Sequence, residues 1–444
     1  MSEQPSFFEK LGTWIRNSIT FKIVSIAILI LLLLIPTGMI NDLIRERQSR
    51  QESVVSEISS SWGNEQTLTG PVLTIPYITY YKTDDDEELK SLRNNAYFLP
   101  NTLNIDGDIN PELRYRGIFE AVVYSTLLNV SGEFIQPDFS DWNIDDKDIL
   151  WNEATISVGI PDMRGINDNI LLNWEETKRE FKPGVPSRDV IEKGISTRVN
   201  LLDSTDKYAF NFNINLNGSS SLNFTPLGAE TIVSLKSSWK NPSFSGQFLP
   251  DEREINEDGF TAKWKVLQLN RDFPQQWRGS SYKTYSSVFG VDLMVGVDQY
   301  QKNMRTSKYA VLIIALTFLL FFFMEVINKK RIHPIQYLLV GFALCIFYAL
   351  LLSISEQSSF GLAYIVSSVA VITLVLIYIQ GVLKSKRLTL FMGGAMAMIY
   401  GFIFIILQLQ DFALLVGSVG LFAVLAVIMY YTRHIDWYDI NKEK

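Results

Sequence analysis

The sequence predicts a polytopic α-helical membrane protein of six spans, with a large β-rich, sandwich-like extracytoplasmic domain between spans one and two. Three observations predict it. Six apolar runs, none with a charge near its centre, are each long enough for a helix to cross the ~30 Å hydrocarbon layer, which takes roughly 18 residues or more. A long polar stretch of short, strand-like segments separates the first run from the other five. The Lys and Arg residues of the short loops fall on alternate connections. Over 444 residues the composition is 47% hydrophobic, an average that hides a solvated middle and apolar ends.

Residues 1–20 read as a cytoplasmic amphipathic segment. Phe8, Leu11, Ile15 and Ile19 share one helical face with Lys10, Arg16 and Lys22 interspersed, a pattern that lies along a membrane surface. Residues 21–40 follow as a transmembrane anchor. The run is too long for a cleaved signal peptide, and "IPTGMINDLIRER" after it offers no small-residue cleavage site. Residues 41–308 are the expected periplasmic β-rich domain, entered through a charged helical stalk, "DLIRERQSRQESVVSEISSSW". Residues 309–431 hold the other five spans, near Tyr309 to Ile327, Gln336 to Ile354, Phe360 to Leu383, Leu388 to Leu407 and Phe412 to Tyr431. Residues 432–444 remain as a cytoplasmic tail.

Within the middle stretch, Phe210, Phe212, Ile214 and Leu216 alternate with Asn211, Asn213, Asn215 and Asn217, which gives a strand one buried and one wet face. "NGSSS" then reads as a hairpin turn. Similar strand signals occur in "GPVLTIPYITYY", "FEAVVYSTLLNVSGEF", "EATISVGIPD", "TIVSLKSSW" and "GFTAKWKVLQL". "YKTDDDEELKS" reads as a solvated hairpin tip rather than an acidic metal site.

Loop charges orient the chain, because cytoplasmic loops keep excess Lys and Arg. Lys329, Lys330 and Arg331 follow the second span and Lys384, Lys386 and Arg387 the fourth, whereas "SISEQSS" and "QLQD" after the third and fifth carry none. Both termini are therefore expected in the cytoplasm and the large domain in the periplasm, in the bacterial inner membrane.

This topology removes most catalytic chemistry from the domain. The single cysteine, Cys345, falls in the third span, and the two histidines, His333 and His434, at the cytoplasmic face. A His or Cys zinc site, a Ser-His-Asp triad and a thiol nucleophile therefore lack there the ligands, the histidine base and the thiol that they need. "DGDINPELRYRG" begins like a calcium loop at Asp106, Asp108 and Asn110 but has Pro111 at the sixth position and Gly117 at the twelfth, so it reads as a strained turn. Ser-x-x-Lys occurs at Ser204 to Lys207, Ser237 to Lys240 and Ser280 to Lys283, never opening an apolar helix. The net charge of −7 and the lack of a basic patch argue against nucleic-acid partners. No catalytic, cofactor or metal residue is assigned.

Inside the spans no acid, Lys, Arg or His falls near a centre; Glu325, Glu356 and Asp411 sit at span ends. Ser367, Ser368, Thr373 and Gln380 give the fourth span polarity suited to helix packing. Gly393, Ala397 and Gly401 recur at every fourth residue of the fifth, which suits close contact. The one constellation worth following is a cytoplasmic-face pair of motifs: His333, Pro334, Gln336 and Tyr337 in "RIHPIQYLLVG", and Arg433, His434, Asp436 and Trp437 in "RHIDWY". His333 reads first as part of a corner, since Pro334 suits the first turn of a new helix.

The motifs "LLLLIP", "GPVLTIPY", "SWKNPSFSGQFLPDEREI", "GFTAKW", "VDQYQ", "KYAVLIIALTFLLFFFMEV", "RIHPIQYLLVG" and "RHIDWY", in this order, make the sequence resemble the CreD family of bacterial inner-membrane proteins of cell-envelope integrity. The resemblance covers nearly the whole chain. It implies a role in the envelope stress response and supplies no catalytic residues. The expected function is non-enzymatic: maintaining or sensing the envelope, with the bilayer and an envelope component or periplasmic protein as partners and no cofactor. A transporter or flippase-like protein for a lipid or amphipath is the alternative, and a carboxylate-based periplasmic hydrolase the third.

Overall fold

A computed structural model describes residues 19–81, 90–201, 206–293, 299–328, 332–409 and 412–433. Two compact units result: residues 51–296, and residues 1–50 together with 297–444.

Among its described residues the helical unit contains six helices long and apolar enough to cross a membrane. Helix α1, Ile19–Trp62, runs on for 44 residues from the apolar anchor through the charged segment after it. Helix α2, Gln299–Lys308, is polar, and it clusters with the spans although the sequence reading counted it with the β-rich stretch. The other spans are α3 (Ala310–Asn328), α4 (Pro334–Ser355), α5 (Phe360–Leu383), α6 (Lys386–Gln408) and α7 (Ala413–Thr432). Leu33 of α1, Phe318 of α3, Leu344 and Phe347 of α4, Ala363 of α5 and Met396 of α6 belong to one buried core.

Close helix approach uses only Gly393 of the predicted stripe, together with a glycine outside it. A Cβ at Gly341 of α4 would run into Leu33 and Phe318, and one at Gly393 would meet Leu376 Cδ1 at 2.8 Å, but Gly401 has open space around it and Ala397 is exposed. The buried face of α6 follows Met392, Met396, Tyr400, Ile403 and Leu407 instead. Large side chains outcompete the small-residue register there because they fill the space between helices. Gly341→Val is therefore expected to lower the stability of the full-length chain in detergent by roughly 1–3 kcal/mol through overpacking. Gly381→Val, at a position with nothing within 4 Å, serves as the control. Equal thermal midpoints for the two variants would refute the contact.

The other unit is two β-sheets around one core. The first sheet has the order β13 (Pro242–Gly246), β17 (Phe289–Leu293), β11 (Ser221–Phe224), β1 (Gln66–Tyr81), β5 (Thr155–Gly159), β9 (Gly194–Arg198) and β8 (Lys182–Pro183). Off this path, β2 (Lys90–Phe98) pairs with β1, and β16 (Gln276–Arg278) with β2. The second runs β14 (Glu252–Asn256), β15 (Gly259–Leu267), β12 (Glu230–Ser237), β3 (Thr102–Arg116), β4 (Phe119–Ile135), β10 (Lys207–Ser219), β6 (Leu171–Trp174) and β7 (Thr177–Glu180). Aromatic rings join the layers: Trp264 of β15, fully buried, packs against Phe289 of β17 at 5.6 Å and Phe244 of β13 at 5.7 Å.

Two local readings are corrected. The "NGSSS" segment is not a hairpin: β10 pairs with β4 and β6 in the second sheet, while β11 pairs with β1 and β17 in the first. Ser220, at φ 61°, turns the chain between layers, and the Tyr124 hydroxyl donates to the Ser221 carbonyl at 2.7 Å. Alternation specifies a strand but not its partner. Nor is residues 106–117 a strained turn, for β3 continues to Arg116. Pairing with β12 ends at Ile109, so the missing N–H of Pro111 costs no ladder bond on that side. The "YKTDDDEELKS" tip lies mostly outside the described residues, but Tyr81 pairs with Lys90 across its base.

Asp162 ties the start of β1 to the turn at Met163–Gly165. Its carboxylate accepts from the Asn64 amide at 3.0 Å, the Arg164 amide at 3.2 Å and the Arg164 guanidinium at 2.8 and 2.7 Å. The Arg164 hydrogen bonds hold its pKa at about 2. Since the folded value lies below the unfolded ~3.9, this stabilisation is present above about pH 4 and is lost as pH falls toward 2. The wild-type thermal midpoint is expected to drop more steeply across that window than that of Asp162→Asn; parallel curves would contradict it.

Candidate functional site

The motif around His333 forms the start of α4. The His333 amide donates to Gln336 Oε1 at 2.9 Å and its Nδ1 accepts from the Ile335 amide at 3.3 Å, a reciprocal cap with Pro334 in the first turn. All of these bonds lie within three residues of His333, which is exposed. They satisfy amides that a helix start leaves without intrahelical partners.

Tyr337 points the other way, into the bundle. Its ring stands edge-on to Phe318 at 5.4 Å, and its hydroxyl donates to Glu325 Oε2 at 3.3 Å. Glu325, 7% exposed, also pairs with Lys22, whose ammonium donates to the Ile332 carbonyl at 3.3 Å as well. Sequence reasoning had placed Lys22 at the membrane surface and Glu325 at a span end. Their pairing across 303 positions left no local signal. Of the second motif, Arg433 follows α7, its guanidinium 4.4 Å from the Tyr430 ring centroid. His434, Asp436 and Trp437 lie outside the described residues, as do residues 1–18, Lys329, Lys330, Arg331 and Asp411.

At the opposite end of α4 a second polar cluster joins α2 to the bundle. Asn303 donates to Ser355 Oγ at 2.8 Å, Tyr300 to Glu356 Oε1 at 3.0 Å, and Ser307 to Asn41 Oδ1 at 2.5 Å. Arg47 reaches Glu356 at 3.8 Å. Between the ends, the buried hydroxyls of Thr317, Tyr348, Ser367, Ser368 and Tyr400 have no hydrogen-bond partner among the described residues, while Tyr364 donates to the Tyr400 carbonyl at 2.8 Å. The polarity of α5 is thus divided: Ser367 and Ser368 are buried, but Thr373 and Gln380 are exposed on the bundle's surface.

In the β-rich unit, Asp106, Asp108, Glu252 and Glu254 line one shallow groove on the second sheet, together with Lys236, Arg253 and Lys263. Register sets Asp108 opposite Lys236 and Glu252 opposite Lys263. These cross-strand charge pairs are what a solvated sheet face favours. Ser237 accepts from the Trp239 amide at 3.2 Å at a strand end, Ser280 and Lys283 lie in an irregular exposed stretch, and Ser204 is outside the described residues. Among the described residues no three His, Cys, Asp or Glu side chains group as metal ligands.

The family model for inner membrane protein CreD matches residues 18–438. The inner membrane protein CreD of Escherichia coli (strain K12) is 32% identical over 437 residues, spanning 97% of this chain and 96% of that protein. Six apolar helices, a β-rich unit after the first of them and a match along almost the entire length agree: the chain is a multi-pass inner-membrane protein and belongs to the CreD family.

Proposed function

We propose that the protein maintains or senses cell-envelope integrity from the inner membrane, without catalysis, using the β-rich unit as a periplasmic binding module in the envelope stress response. The observation that carries this reading is the unequal charge of the short connections. Lys384, Lys386 and Arg387 fall between α5 and the first turn of α6, whereas residues 356–359 between α4 and α5 contain Glu356 and no cation. Retention of Lys and Arg in the cytoplasm supports an inner α5–α6 loop. Counting spans from there favours cytoplasmic termini and a β-rich unit facing the wall.

Cys345 is the sole cysteine and is buried, so single-cysteine labelling tests the placement directly. In a Cys345→Ala background, Thr177→Cys is expected to react with an impermeant maleimide once the outer membrane is opened, and Ser385→Cys only after the inner membrane is broken. The reverse pattern overturns the orientation. For the role itself, cells lacking the chain should admit more of a hydrophobic dye under a wall-active agent, with full-length protein restoring the barrier. An unaltered barrier would refute the envelope reading.

The buried hydroxyls of Thr317, Tyr348, Ser367 and Tyr400 favour one second reading, transport of a lipid or amphipath through the bundle. Flux in reconstituted vesicles that falls on Ser368→Leu or Tyr400→Phe would support it. Gln380, on the bundle's surface, is expected to be replaceable.

A further inference from the structure

On the outer face of the first sheet, β2, β1, β5 and β9 form the floor of a groove of about 990 Å³. Thr74 of β1 stands opposite Thr155 of β5, which stands opposite Arg198 of β9, so hydroxyls and a guanidinium follow one another in a row across three strands. Asn95 and Ser196 extend this polar floor. Residues 179–180 and 182–186, from the segment that carries the chain from the edge of the second sheet to the edge of the first, form one wall.

That wall is held in place. Tyr97 donates to Asp189 Oδ2 at 2.5 Å and accepts from the Ser187 hydroxyl at 2.8 Å, and the Asp189 amide donates to Ser187 Oγ at 3.2 Å. The Gly184 amide donates to the Gly194 carbonyl at 2.9 Å, and Ser196 Oγ to the Gly184 carbonyl at 2.7 Å. Pro183 and Pro186 restrict the backbone further. A wall already ordered loses little entropy when a ligand settles against it.

The lining is cationic in a chain whose net charge is −7. Arg93 is neutralised by Glu153 at 2.5 Å. Arg179, Lys182 and Arg198 are exposed and make no ion pair among the described residues, with Glu180 the one other acid in the lining. Cations gathered in a concave site focus potential onto an anion, and guanidinium forks match the paired oxygens of carboxylate or phosphate. The floor offers the half-buried Asn95 amide and hydroxyl oxygens that can accept, since Thr155 and Ser196 donate their hydrogens to the Glu153 and Gly184 carbonyls and Thr74 is buried, and the apolar lining is limited to prolines, Val185 and glycine, with no aromatic or acyl-sized wall.

We propose that this groove binds an anionic glycan, a saccharide chain bearing carboxylate or phosphate groups, with Arg179, Lys182 and Arg198 taking the anions and the polar floor the sugar hydroxyls. The proposal rests on the β-rich unit facing the envelope and supplies the class of component it would bind there.

The test titrates full-length protein, in nanodiscs of neutral lipid, with oligogalacturonate as the carboxylate ligand, a phosphorylated mannan oligosaccharide as the phosphate ligand, neutral dextran as control and phosphatidylglycerol vesicles as the lipid source of phosphate. Saturable binding of either anionic glycan, weakening with salt, is expected. Arg179→Gln combined with Arg198→Gln should weaken it at least about tenfold, the loss of two charge-assisted contacts, with the thermal midpoint unchanged, while Arg198→Lys retains part of the affinity. Binding no tighter than dextran, affinity indifferent to the double variant, or capture by the lipid vesicles alone would each overturn the proposal. Failed binding beside a periplasmic labelling pattern refutes the groove and leaves the envelope role standing. Successful binding beside a cytoplasmic pattern refutes the envelope role instead.

Discussion

Glu325→Ala is expected to destabilise the helical unit by roughly 3–5 kcal/mol, the usual cost of stripping one partner from a buried ion pair. Glu325 is 7% exposed, accepts from Tyr337 at 3.3 Å and pairs with Lys22, so its loss removes a carboxylate from beside an ammonium and the acceptor from a buried phenol. Lys22 sits near the start of α1, Glu325 in the last turn of α3 and Tyr337 in the first turn of α4, which makes one carboxylate the fastening point for three spans. Thermal unfolding of the full-length chain in detergent reads the effect. Replacing both charges together, Lys22→Met with Glu325→Leu, should recover most of the loss, because the cation is then removed together with its carboxylate. If the double variant is as unstable as Glu325→Ala, the pair is not the fastening.

In the β-rich unit the largest single effect is expected at Arg271. It is 8% exposed, and its guanidinium donates to the carbonyls of Phe273 at 3.1 Å, Leu227 at 3.1 Å and Gly228 at 3.3 Å and to the Gln275 side chain, while lying 4.2 Å over the Phe273 ring. Burial lowers its pKa to about 10, which still leaves it charged at neutral pH. No carboxylate pairs with it among the described residues; backbone oxygens do the work of a counterion. Gln275 in turn donates to the Pro100 carbonyl at 2.8 Å, so the cluster ties the segment after β15 to the β2–β3 connection. Arg271→Ala strands several buried carbonyls at once and should cost roughly 3–5 kcal/mol. Arg271→Lys should restore only a small part, since an ammonium cannot reach these acceptors in the plane of a fork. Full stability in the lysine variant would show that charge alone matters there.

Both residues illustrate what a one-dimensional reading misses. Lys22 was legible as a cation near a span and Glu325 as an acid at a span end, but their meeting depends on how three helices pack. Arg271 carried no signal at all, because its partners are backbone carbonyls, which every residue supplies. The groove on the first sheet gathers side chains from residues 74 to 198, and nothing in the spacing of Arg179, Lys182 and Arg198 announces that they surround one space. The acids of the second sheet, conversely, were legible individually, and only register revealed that cations stand opposite two of them.

The sequence by itself determined whatever depends on a few consecutive residues. Run length predicted the six spans because the bilayer measures hydrophobic length directly. Period-two alternation located the strand of residues 207–219, and His333, Pro334 and Gln336 specified a helix cap because every bond in it closes within three positions. The tertiary structure alone decided which strands pair, that residues 217–221 cross between sheets rather than fold back, that Gly341 and not the Gly393-to-Gly401 stripe admits α1 against α4, and that Lys22 and Glu325 meet. The physical reason is the same throughout: partner choice is set by shape and charge matching between elements distant in sequence, whereas local propensity ranks only the conformations of a single segment.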